Sequence, residues 1–159
     1  MIPVPENAVT LVALHEGFSA QVYWDKTGEP IGVGPDGNPT VGYGINVGPT
    51  GGLMMDEAQA LLEMRLERIA ASLSQVDRYF SSLSDARKAA VLDVAYNVGI
   101  NGWLGFTDTR KYLAAGDFSA AASALLDSDA ARELSARYHQ DAEIIRTGIF
   151  PASIPAVED

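Results

Sequence analysis

Residues 18–52 crowd glycine and proline into a chain that is otherwise patterned for helices. That interruption constrains the fold most, because these residues break helices and favour turns. Between them stand β-leaning residues: Tyr23, Trp24, Ile31, Val33, Thr40, Val41 and Tyr43. Pro35-Asp36-Gly37-Asn38 is a turn signal. The stretch predicts a small irregular antiparallel sheet, with a hairpin pairing residues 31–33 against 40–43.

Helices are expected on both sides. Residues 6–16 place Val9, Val12, Ala13 and Glu16 on one stripe, with Pro5 near the first turn and Gly17 as the stop. Glu16 thus falls at the edge of the buried face. Residues 55–74 form a long amphipathic helix whose apolar stripe is Ala58, Leu61, Leu62, Leu66, Ile69 and Leu73. Ser84 caps a helix that runs to about Val98 and stops at Gly99. Thr107 and Asp117 are further cap candidates, with Gly116 ending the helix between them, and residues 130–147 read as one or two helices ending at Gly148. The fold class is α+β and mostly helical. A small sheet-containing lobe spans about 17–55. A long connecting helix leads to a larger helical lobe, about 75–150, packed with the N-terminal helix. The 159 residues make one domain.

Charge and composition narrow the chemistry. A net charge of −10 disfavours nucleic acid, since phosphate contacts need basic residues. There is no cysteine and there are only two histidines, His15 and His139, so neither a disulfide framework nor a metal site is expected, and no cofactor is implied. The apolar run 8–14 lacks a basic leader and is too short to span a bilayer, so no secretory signal and no stable membrane insertion are expected. Gly32-Val33-Gly34-Pro35-Asp36-Gly37 matches a dinucleotide fingerprint literally. Its prolines forbid the helix that motif must open, and no βαβ unit follows.

The polar residues around the break are more telling. Glu16 ends a helix, Asp25 follows in a turn, and Thr40 opens a strand among glycines. Two carboxylates and a placed hydroxyl are the groups that hydrolysis of a glycosidic bond uses.

These residues carry a resemblance. Glu16-Gly17, Tyr23, Asp25 and Thr40-Val41-Gly42-Tyr43-Gly44 resemble the phage-type lysozymes, the endolysins and muramidases of glycoside hydrolase family 24. The similarity continues through Leu83-Ser84-Asp85-Ala86-Arg87, Ala95-Tyr96-Asn97-Val98-Gly99, Gly105-Phe106-Thr107, Ala114-Ala115-Gly116-Asp117 and Arg146-Thr147-Gly148. It covers roughly residues 7 to 150, and its strength lies in the order of the motifs.

The resemblance implies a lysozyme-like monomer that cleaves the β-1,4 bond between N-acetylmuramic acid and N-acetylglucosamine in bacterial peptidoglycan. It implies Glu16 as general acid, Asp25 as second carboxylate and Thr40 as the hydroxyl that helps hold the attacking water. An inverting reaction is implied, with carboxyl groups about 6.5–9.5 Å apart. Arg137 takes the place of an arginine that reaches back to the acid and orients it. Tyr43, Gly44, Tyr96 and Asn97 match positions that bind the sugar. Synthesis in the host cytoplasm and action on the wall after holin-type release or external delivery are also implied. A second reading is an inactive lysozyme-like domain that binds glycan or protein. One departure stands out: fifteen positions separate Asp25 from Thr40, and the extra residues, about 29–38, look like an enlarged hairpin.

Overall fold

A computed structural model describes residues 4–28, 37–46 and 55–154. Within them the chain runs α1 (Glu6–Glu16), β1 (Ser19–Trp24), β2 (Pro39–Gly42), β3 (Ile45–Asn46), α2 (Met55–Val76), α3 (Asp85–Leu104), α4 (Thr107–Ala115), α5 (Phe118–Leu126), α6 (Asp129–Glu133) and α7 (Ser135–Thr147). A 3₁₀ turn, Arg78–Ser82, joins α2 to α3. The fold is mostly helical α+β, as expected.

The sheet is antiparallel in the order β1-β2-β3. Tyr23 pairs with Thr40 and Trp24 with Pro39, and the register shifts between Ser19 and Tyr23. Thr40 and Val41 then pair with Asn46 and Ile45. Among the described residues, 40–42 thus pair with β1 on one side and β3 on the other. The hairpin partner expected at 31–33 lies outside the described residues.

Two apolar clusters divide the work of burial. Val22, Val41 and Ile45 form a small cluster under the sheet, with Leu61 of α2 packed on it. The larger cluster draws on every helix and is richest in α3. α2 serves both because its faces differ. Ala58, Leu62, Leu66, Ala70 and Leu73 lie at helical spacing on its core face, while Leu61 sits beside them toward the sheet. Its 22 residues span about 33 Å.

α3 is buried along its first half, from Ala89 to Ala95, and many of those residues are alanine, which lets neighbouring helices approach closely. Ser84 caps it by accepting from the Arg87 amide. At Gly99 the backbone turns to φ 71°, ψ 167°, which ends the first helical run as expected; a second run then continues to Leu104 and buries Trp103. Phe106, not Thr107, occupies the cap position of α4, and Thr107 is its first helical residue. Asp117 caps α5 as expected, accepting from the Ala120 amide at 3.0 Å. Among the described residues, no helix is long and apolar enough to cross a membrane.

α3 also clasps the sheet. Its Tyr96 hydroxyl donates to the Tyr43 carbonyl at 2.9 Å. Burial and then the nearby Glu16 charge push the Tyr96 phenol up to about 12, so the donor persists across the neutral range. Tyr96→Phe removes only this bond and is expected to lower stability by about 1 kcal/mol, checked by urea unfolding.

Candidate active site

Glu16 is the last residue of α1, and the Gly17 amide closes the helix onto the Ala13 carbonyl at 3.0 Å. Its side chain stays about one-fifth exposed (20%) while that of Arg137 is 8% exposed. Arg137 lies in the first turn of α7 and donates from Nη1 to Glu16 Oε1 at 2.6 Å. The other Glu16 oxygen faces Gly44. A Cβ on Gly44 would overlap Oε2, and Gly44 sits at φ +69°, so glycine is required there on two counts.

Behind this pair stands a second carboxylate. Asp93 of α3 is fully buried and takes Arg137 in a fork, Nε to Oδ2 at 2.9 Å and Nη2 to Oδ1 at 2.8 Å. His15 Nδ1 lies 2.6 Å from Asp93 Oδ2, and its Nε2 lies 2.8 Å from Gln140 Oε1. Burial would raise the Asp93 carboxyl, but the His15 hydrogen bond and the Arg137 guanidinium together hold it below the usual carboxylate range. Burial likewise works against the Arg137 charge, and Asp93 and then Glu16 more than offset it.

Asp141, one turn beyond Arg137 on α7, is also fully buried, and neither of its oxygens meets a donor among the described residues. Burial first and the Asp93 charge second push its carboxyl well above the usual range, so it keeps a proton and shares it with Asp93. His15, Asp93 and Asp141 bring one ligand atom each within 4.8 Å of one another, a grouping with metal-like spacing. Both Asp93 oxygens are already bonded to the Arg137 guanidinium, whose charge repels a cation. The donor set therefore suits a proton and not a metal ion.

The second group of candidate residues gathers at the mouth of the β1–β2 hairpin. Asp25 is exposed. Its Oδ1 accepts from the Asn38 amide at 2.7 Å and its Oδ2 from Asn38 Nδ2 at 2.9 Å. These two bonds, the side-chain one first, hold the carboxyl below its ordinary value. The Asn38 carbonyl accepts in turn from the Asp25 amide at 3.1 Å and from Thr40 Oγ1 at 3.0 Å. Asn38 is thus the link between Asp25 and Thr40. A Cβ on the preceding Gly37 would collide with Asp25 Oδ1.

The remaining candidates occupy varied positions. Tyr43 is buried and packs its ring on Phe18 at 5.6 Å, so its carbonyl, not its ring, is the group committed to Tyr96. Asn97 accepts from the buried Tyr138 hydroxyl at 2.9 Å through Oδ1. Tyr23 lies near both carboxylates, and burial, then Glu16 and Asp25, raise its phenol.

Sequence reading missed Asn38, Asp93, His15 and Asp141 as members of the site. Asp93 carried a signal, since it is the lone charge in the apolar run from Ala89 to Ala95. Asp141 carried another: it stands four residues from Arg137, on the same helix face.

The raised Asp141 carboxyl has a thermodynamic consequence. Between the unfolded value of about 3.9 and the folded value, the native state binds the proton and the unfolded chain does not. Stability from this group therefore falls as pH rises through that window, by roughly 1.4 kcal/mol per unit. Asp141→Asn, which cannot ionise, is expected to gain stability over the native protein as pH rises above about 4, checked by urea unfolding at each pH.

The comparisons fit this geometry. The family model described as phage lysozyme matches residues 13–136, a span that holds Glu16, Asp25, Thr40 and Asn97 and stops just before Arg137. No curated protein matches the chain. A family model covering well over half of the residues, over the helix-end acid, the hairpin and the central helix, establishes that the chain belongs to the phage lysozyme family.

Proposed function

We propose that this protein is a peptidoglycan hydrolase that cleaves the β-1,4 bond between N-acetylmuramic acid and N-acetylglucosamine, with Glu16 as the general acid. One observation carries the reading: Glu16 is anchored through Oε1 by a buried arginine while Oε2 lies against a glycine that leaves it room. A general acid needs one oxygen fixed and the other presented to the leaving group. Membership of the phage lysozyme family supports the same class of chemistry.

In this reading Glu16 Oε2 gives its proton to the glycosidic oxygen as the bond to the anomeric carbon breaks. Asp25, kept ionised by Asn38, steadies the positive charge that develops on the sugar and receives a proton from the attacking water. The Thr40 hydroxyl spends its own proton on the Asn38 carbonyl, so toward a water it acts as an acceptor. Attack from the face opposite the departing group inverts the anomeric centre. Arg137 orients the acid. Gly44, Tyr96 and Asn97 border the sugar, and Asn97 retains its amide N–H groups for an acetamido carbonyl, since Tyr138 engages only its oxygen. The protein acts as a monomer on the wall of its host, reached from the cytoplasm by holin-type release or from outside.

Release of reducing ends from purified peptidoglycan tests this. Glu16→Gln is expected to lower the rate by at least about 10²–10⁴-fold with the fold intact. Full activity in that variant would overturn the assignment. Saturable glycan binding without cleavage by the native chain would instead mark a binding domain. Asn38→Ala removes the Nδ2 bond to Asp25 and is expected to move the acidic limb of the pH–rate profile to higher pH, because the carboxylate loses a donor that favours its charged form. An unchanged limb would detach Asp25 from the rate.

A further inference from the structure

Arg137 carries one positive charge and faces two carboxylates, and it does not treat them alike. It meets Asp93 through two nitrogens and Glu16 through one. Asp93 is fully buried and has no solvent to turn to, whereas Glu16 keeps 20% of its side chain exposed. A buried guanidinium cannot lose its only counter-ion without a large penalty. If Glu16 were that counter-ion, taking up a proton would strand Arg137. We propose that Asp93 is a positioning residue: it is the standing counter-ion of Arg137, held in place by His15 and Asp141, and it leaves Glu16 free to carry the proton that the reaction uses. The inference rests on the reading of Glu16 as general acid.

The surrounding charges agree with this assignment. Tyr23 of β1 and Tyr96 of α3 face Glu16, and both remain neutral phenols. Arg65 of α2 acts on Tyr96. Toward Asp93 the groups are His15 of α1, with Arg137, Tyr138 and Asp141 of α7. His15 Nδ1 lies 2.6 Å from Asp93 Oδ2, where an ionised carboxylate takes an N–H, and Asp93 is the carboxylate that acts on Asp141. The neutral Asp141 therefore supports the Asp93 carboxylate without adding charge. Of these groups, Arg137 is the one bonded to both carboxylates.

Removing the Asp93 charge leaves Arg137 to Glu16 alone, which favours the Glu16 carboxylate over the acid. The test is the pH dependence of kcat and KM on soluble peptidoglycan fragments for the native protein and Asp93→Asn. The alkaline limb of the variant is expected about one pH unit lower, with kcat reduced and KM little changed. A purely structural role would depress the rate alike at every pH, so a folded Asp93→Asn with the native alkaline limb overturns the proposal. Should that variant fail to fold, carboxyl carbon-13 titration of the native protein and of Glu16→Gln decides. Asp93 is expected to stay ionised down to about pH 5 in both, and Asp141 to stay protonated there. Asp141 titrating in the ordinary carboxyl range, or Asp93 protonated at that pH, overturns the proposal. Absence of fragment release by the native protein defeats the hydrolase reading instead, and the titration still decides this one.

Discussion

The buried guanidinium of Arg137 is the constraint on which the rest of the site depends. It sits between Asp93 of α3 and Glu16 of α1, and both ion pairs are short. A charge taken out of water must be paired and hydrogen-bonded, and here that requirement fixes three helices at one point. α7 must enter beside α3, and α1 must end where Glu16 reaches the arginine. Gly44 follows from the same demand, since any side chain there would displace the acid that Arg137 holds. The catalytic candidate is therefore set by the helical core, not by the sheet that lies next to it.

The sheet side obeys a different rule. The β1–β2 hairpin carries a long connection, yet its mouth is closed tightly. Trp24 pairs with Pro39, and Asp25 and Asn38 then exchange bonds one step farther out. Closing a longer loop adds little entropic cost per added residue, so an insertion beyond that mouth leaves the register of Asp25 and Thr40 undisturbed. Their separation in sequence is cancelled by the pairing, with Asn38 touching both.

Much of the helical architecture was legible from the chain. The stripe of α2, the Ser84 and Asp117 caps and the end of α1 at Glu16 follow from local periodicity and capping chemistry, and they appear where expected. The sheet was legible as a sheet, while the partner expected for it at residues 31–33 lies outside the described residues. Among the described residues β1 supplies a paired backbone for β2 and Val22 for the apolar face. Extension of α3 past Gly99 was missed because a glycine stop signal cannot reveal that helical backbone resumes after it to bury Trp103.

The sequence by itself determined where these groups stand along the chain: an acid closing the first helix, an aspartate in the turn region after it, a threonine opening a strand and an arginine on the last helical stretch. Those placements are local, governed by caps, turns and periodicity within a few residues. Tertiary structure alone decided their partners. The Arg137 bond to Glu16 spans 121 positions and that of His15 to Asp93 spans 78. No local rule makes Asp141 a neutral acid; its complete burial does, together with a carboxylate from another helix. Burial and long-range charge act through space, and they turn a set of well-placed polar residues into one coupled site.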